Sequence, residues 1–242
     1  MTKSQDETSV HSKNNPHSPA NRLSRIFQML FVLIAMMTAC TSIAVLGVYF
    51  YVSEDLPGVS TLLANYRPPI ITTVYSDDNR KIAEFFKERR IVISLDEMPL
   101  LLKQAFVAAE DSRFFKHHGI DYLSIIRALL KNIKAEIIVQ GGSTITQQVT
   151  KAFFLTPEKS YTRKIKEAIL SYRIDHAFKK EEILFLYLNQ IYLGYGAYGV
   201  QAAAENYFGK SVSELSLAEC AILAGLPQAP SRYSPFRHPE LA

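Results

Sequence analysis

Residues 106–121 read FVAAEDSRFFKHHGID. An apolar run delivers an acid pair, Glu110-Asp111, and Phe114, His117 and Gly119 follow at short intervals. A carboxylate that leaves an apolar helix for a polar turn stands between oil and water. There its pKa can rise and it can work as an acid or base near neutrality. A surface glutamate that merely ends a helix explains this stretch equally well. The rest of the chain has to decide.

Upstream, Leu102, Ala105, Phe106 and Ala109 share one helical face, so the helix that ends in this stretch carries Glu110 at its C-terminus. Ser94-x-x-Glu97 followed by Pro99 is its start signal. Residues 70–75 and 81–86 are β-prone runs around the turn-rich Ser76-Asp77-Asp78-Asn79, which predicts a hairpin. Residues 91–95 read as one more strand, and 53–69 as a linker.

No charged residue occurs from Ile26 to Val52, longer than the ~20 residues that span a bilayer as a helix. Tyr49, Phe50 and Tyr51 suit an interfacial aromatic belt. Arg22 and Arg25 precede the span and Glu54 and Asp55 follow it. The positive-inside bias then puts the N-terminus in the cytoplasm and the remaining chain outside. A cleaved signal peptide would have a shorter apolar core. A lipoprotein-like cleavage site at Met37-Thr38-Ala39-Cys40 is opposed by the apolar run continuing past Cys40. Residues 1–22 are polar and predict a disordered tail. Cys40 and Cys220 both lie in apolar runs and read as packing residues rather than a disulfide framework.

The chain has 242 residues, is 48% hydrophobic, and carries a net charge of +4. That is enough for one good core plus a short extra element. From Lys131 to Lys180, ten Lys and Arg stand against four Asp and Glu. Such a surface attracts anionic lipid, phosphorylated substrate or nucleic acid. Within residues 122–139, Ile125, Ile126, Leu129, Leu130, Ile133 and Ile137 are apolar, with Arg127, Lys131 and Lys134 interleaved. That reads as a helix lying partly in the lipid headgroup region, against the plainer alternative of a helix packed on the core. Gly141-Gly142-Ser143-Thr144 opens a further helix, whose N–H groups make a natural anion site, with Lys151 two turns on. The GxxxxGK[ST] spacing of a P-loop is absent, so nucleotide hydrolysis has no support. After a polar break at 156–161, Arg163-Lys164-Ile165-Lys166-Glu167 starts a long helix through Phe178. Glu167 is either the structural counter-ion of these cations or part of a phosphate-handling group. Helices are predicted over 182–193, 197–208 and 216–226, the last with a Ser216-x-x-Glu219 capping box and ending before Pro227. The pattern is mainly α.

In this order the stretches resemble the peptidoglycan glycosyltransferase domain of class A penicillin-binding proteins and monofunctional transglycosylases. Five blocks carry the resemblance: EDSRFFKHHG at 110–119, GGSTITQQ at 141–148 with Lys151, RKIKE at 163–167, ILFLYLN at 183–189 with Tyr192-Leu193-Gly194, and AAAENYFGK at 202–210. The first two together are highly specific. The resemblance implies a lysozyme-like helical domain over 70–236, with a membrane-associated jaw lobe at about 120–140 and the hairpin at its N-terminal side. It implies Glu110 as the base and Glu167 as a second carboxylate that orders cations, or a divalent metal such as Mg or Mn, around a pyrophosphate. Asp111, Phe114, His117, Ser143, Thr144, Gln148, Lys151, Arg163 and Lys164 are then the expected substrate-binding residues. The implied substrates are lipid II and the growing glycan strand; membrane lipid and cell-wall elongation or division proteins are the implied partners, and nucleic acid is not. Glycan cleavage by a muramidase or lytic transglycosylase, and a non-catalytic scaffold, are the rival readings.

Two positions depart from the family pattern: Phe185 stands where a glutamate is frequent, and Ala152 follows Lys151 where an asparagine is frequent. No S-x-x-K or K-T-G motif of a penicillin-acylating domain is present. The Pro- and His-containing residues 237–242 read as the start of a further region.

Overall fold

The computed structural model of the chain describes residues 19–54, 56–60, 66–69, 71–137, 141–156 and 160–241, with side chains from Ser24 onward. The predicted disordered tail before residue 19, parts of the 53–69 linker, Ile70, the end of the 122–139 segment and the middle of the 156–161 break lie outside the described residues.

The chain divides into two units, one ending at Tyr51 and one starting at Val52. The first contains most of helix α1, Pro19–Ser53. Its Ser24–Ser53 portion, with a mean hydropathy of 2.4 in its most apolar 18-residue window, is long and apolar enough to cross a membrane. From Ile26 to Tyr51 its large apolar side chains are exposed along the helix, as a segment facing lipid would be.

The second unit begins with the hairpin expected from the SDDN turn. Strands β1 (Thr72–Tyr75) and β2 (Lys81–Phe85) pair antiparallel. Ser76 N donates to Arg80 O at 2.8 Å across the turn, and Asn79 takes the left-handed conformation (φ 63°) that asparagine tolerates. The strand expected at 91–95 does not form. Ile93 instead satisfies its backbone against one side chain: its N–H donates to Asn189 Oδ1 and its C=O accepts from Asn189 Nδ2, both at 3.0 Å. The strand lies just before it, as β3 (Arg89–Arg90), parallel to β4 (Ala197–Tyr198).

The Ser94–Glu97 signal caps a single 3-10 turn, Leu95–Glu97, and the α-helix proper, α2 (Leu100–Glu110), starts after Pro99. Helices α3 (Tyr122–Ala135), α4 (Ile145–Phe154), α5 (Tyr161–Ala177), α6 (Lys180–Gln190), α7 (Val200–Phe208) and α8 (Leu217–Gly225) follow. The helix predicted from 197 therefore starts three residues later, because Ala197 and Tyr198 are taken by β4. The Ser216–Glu219 capping box forms as expected.

Helix α4 packs between α5 and α6, and α2 packs on α8. Phe106, Phe114, Ile145, Leu170, Ile174, Ile183, Leu186 and Leu223 are buried between these layers, and Cys220 is buried with them. Cys40 by contrast is exposed on α1. Phe185 packs its ring against Tyr66 at 6.1 Å, which gives the aromatic at this position a packing role.

Helix α3 contributes almost nothing to that core: Ala128 is its one buried residue. Tyr122, Leu123, Ile125, Ile126, Leu129, Leu130 and Ile133 are exposed on it, as is Ile137 beyond its end. The alternative of a helix packed on the core does not hold: among the described residues its apolar stripe is left largely exposed.

Candidate active site

Glu110 is the last residue of α2, and its carboxylate is half-buried at the C-terminal end of the helix dipole, where negative charge is disfavoured. Burial pushes its pKa above the usual carboxylate range; the neighbouring Asp111 charge adds to the rise, and a hydrogen bond from Gln148 opposes it. That bond, Gln148 Nε2 to Glu110 Oε2 at 2.7 Å, fixes the carboxylate in one orientation. Gln148 thus holds this carboxylate as well as lining the cleft.

The residues after Glu110 are the fastening. Asp111 is buried; its two oxygens accept from His117 Nε2 at 3.0 and 2.9 Å, and Oδ2 also accepts from Ile145 N at 3.1 Å. The end of α2 is thereby tied to the start of α4. Phe114 is fully buried, and Lys180 Nζ sits 4.7 Å from the centre of its ring while donating to His117 O at 2.8 Å. Gly119 presses on α5 and accepts from Thr144 Oγ1 at 2.6 Å. Asp121 caps α3 through Leu123 N and Ser124 N and pairs with Arg113 at 3.2 Å.

This corrects two expectations. The N-terminus of α4 is not an open anion site: Asp111 takes the Ile145 N–H, and the capping box of Thr144 and Gln147 closes the turn. Gly142 is small because a Cβ there would stand 3.1 Å from Ile125 Cα on α3. And Asp111, Phe114, His117 and Thr144, expected at the substrate, do not line the cleft. They are buried behind it and position what does.

The cleft has a volume of about 920 Å³. Glu110 and Gln148 line it together with Ser143, Lys151, Arg163, Lys164 and Glu167. Glu167 is buried, with Lys164 on Oε1 and Arg163 at 3.5 Å from Oε2. Lys164 also donates to Ser143 Oγ at 3.1 Å. Lys151 is exposed in the cleft. Ala152, one residue on, lines a separate cavity, so its departure from the family pattern falls outside this cleft. Ala109, Lys131, Gly141, Gln147, Pro227 and Gln228 complete the lining. The motif blocks contain Gly141 and Gln147 but not Lys131, Pro227 or Gln228. Pro227 and Gln228 reach the cleft through the packing of α8 on α2, which no local pattern records. Tyr187 is buried against Phe106 of α2, and burial together with the Glu110 and Asp111 charges pushes its hydroxyl well above the usual range.

A divalent metal does not fit these residues as a resident group. Both Glu167 oxygens are engaged by cations, and no cluster of three His, Cys, Asp or Glu occurs among the described residues.

The family model described as "Transglycosylase" matches residues 78–242. The chain belongs to the transglycosylase family. Within that family it is 52% identical over 181 residues to penicillin-binding protein 1A of Aquifex aeolicus, covering 75% of this chain and 25% of that one. It is 49% identical over 193 residues to penicillin-binding protein 1A of Escherichia coli, covering 80% and 23%. A crystal structure of penicillin-binding protein 1A from Haemophilus influenzae aligns over 72% of this chain and 16% of that one, at 30% identity and a TM-score of 0.37. The chain spans about a quarter of the length of the curated relatives it matches. The first three sequence blocks meet at this cleft: one holds Glu110 and its fastening, the second Ser143 and Gln148, the third Arg163, Lys164 and Glu167.

Proposed function

We propose that this chain polymerises lipid II into glycan strands by inverting glycosyl transfer. The observation that carries the reading is one cleft holding a half-buried, raised-pKa glutamate and a floor of cations. Glu110 takes the proton from the 4-hydroxyl of the acceptor's N-acetylglucosamine. That oxygen attacks C1 of the donor's N-acetylmuramic acid, and the C1–O bond to the pyrophosphate breaks. An α-linked donor becomes a β-1,4 link, and undecaprenyl pyrophosphate leaves. A sugar hydroxyl needs a positioned base, and the leaving group needs its growing negative charge met. Lys151, Arg163 and Lys164 meet it. Glu167 holds the last two of these cations in place; it is their counter-ion and moves no proton.

The cationic floor also argues against glycan cleavage, since a neutral glycan has no use for it. Incubation with lipid II, and separately with cell walls, tests the choice. The expected result is polymer from lipid II and no soluble muropeptides; muropeptide release without polymer overturns the reading. A scaffold role predicts instead that variants lacking both Glu110 and Glu167 still support growth of a deletion strain.

In this reading α1 anchors the chain in the inner membrane with its N-terminus in the cytoplasm, and α3 lies in the outer headgroup layer. The chain contains no Trp, so a single tryptophan reports cleanly. Leu129→Trp in the full chain in liposomes is expected to give blue-shifted emission quenched by brominated lipid. Emission at the aqueous maximum without quenching removes α3 from the membrane.

A further inference from the structure

We propose that Lys131, on the lipid-facing helix α3, is a further cation for the substrate's pyrophosphate. Nothing in the five sequence blocks includes it, and the inference rests on the glycosyl transfer above.

The helix geometry separates two faces. At about 100° per residue, the exposed stripe of Tyr122, Ile126, Leu129, Leu130 and Ile133 occupies one side of α3. Lys131 falls on the opposite side, three residues beyond the buried Ala128, and lines the cleft shared with Glu110. It therefore does not belong to the cations that interleave the lipid stripe. Lys134 does: it is exposed and is not among the cleft residues.

Charge gives the second argument. Arg163 and Lys164 already share Glu167. Lys131 and Lys151 have no ion pair among the described residues. Once Glu110 has taken the acceptor's proton and is neutral, Lys131, Lys151, Arg163 and Lys164 against Glu167 leave three positive charges in excess. A sugar–pyrophosphate–lipid diester carries two negative charges. Breaking its C1–O bond leaves the electron pair on the terminal phosphate oxygen and adds a third. With Lys131 the floor matches the departing group; without it, one charge is left to water or membrane counter-ions. The floor then draws on three elements, α3, α4 and α5, and one of them is the helix that meets lipid. The lipid-linked phosphate enters from that side.

The test uses the full chain in proteoliposomes of neutral phosphatidylcholine, repeated with anionic phosphatidylglycerol, and compares Lys131→Gln with Lys134→Gln. Inorganic pyrophosphate binding, measured by calorimetry, gives a readout independent of turnover. Loss of one charge-assisted contact is expected to raise KM for lipid II, and to weaken pyrophosphate binding, by about tenfold in Lys131→Gln, in both lipid compositions. Lys134→Gln should leave both unchanged in neutral lipid. Unchanged KM and pyrophosphate affinity in Lys131→Gln overturn the proposal. So does an effect confined to anionic vesicles, or one equal in the two variants, because either assigns Lys131 to phospholipid headgroups. If the wild-type chain binds pyrophosphate through Lys131 yet makes no polymer, the glycosyl-transfer reading fails and the cation site stands.

Discussion

Glu110→Gln is expected to cut the polymerisation rate by about 10²–10⁴-fold while leaving the protein folded. The substitution keeps the shape of the side chain, and its amide oxygen can still accept from Gln148, so the local packing survives. What goes is the ability to take a proton. The pH dependence follows from the raised pKa. A base must be ionised to act, so the wild-type rate should fall as pH drops through a value above the ordinary glutamate range. Stability runs the other way. The folded protein holds the Glu110 proton more tightly than the unfolded chain does. The stability this contributes is present in full below the unfolded value and is lost as pH rises through the folded one. At neutral pH the ionised carboxylate is a cost to the fold, so Glu110→Gln should melt at the same temperature as wild type or higher. The wild-type chain should close that difference as pH falls below the unfolded value. Retention of the wild-type rate removes Glu110 from the chemistry. A collapse of Tm would make it a structural residue.

Gly119→Ala is expected to cost about 3–5 kcal/mol, from two sources that a control separates. Gly119 has φ +78°, and a Cβ there would stand 2.4 Å from Ser171 O and 2.9 Å from Tyr172 N. Those are backbone atoms of α5 and cannot swing aside. The left-handed conformation adds its own cost of roughly 1–2 kcal/mol. Gly209 has a similar φ, +68°, but open space around it. Gly209→Ala should therefore show the conformational cost alone. Thermal melts of the full chain are expected to fall by about 10 °C for Gly119→Ala and by a third of that or less for Gly209→Ala. Activity should suffer beyond stability in Gly119→Ala. Moving this loop pulls on the Gly119–Thr144 bond and on the Asp111–His117 pair that holds Glu110. A Tm within 2 °C of wild type would mean that the loop yields without strain and that the contact with α5 is not what positions the base.

Local patterns in the sequence determined a good deal about this protein. The uncharged run at 26–52, the hairpin turn at Ser76–Asn79, the amphipathic period after Asp121 and the Ser216 capping box each rest on interactions within a few residues, and each is legible wherever it stands. So was the place of Glu110 at a helix end, because its helix and the polar turn after it are contiguous. What lay beyond reach was every feature whose partner is distant in the chain. Ile93 is not in a strand because Asn189, far along the sequence, supplies the hydrogen bonds a strand would have. The α4 N-terminus looked open to an anion until Asp111 was seen to fill it. His117 and Phe114 looked like substrate contacts because they sit beside Glu110 in sequence, yet the loop folds them inward, where the Phe114 ring is buried in the core and His117 finds its hydrogen-bond partner in Asp111. Which side of α3 Lys131 occupies relative to Glu110 depends on how two helices cross, and only the packed structure decides that.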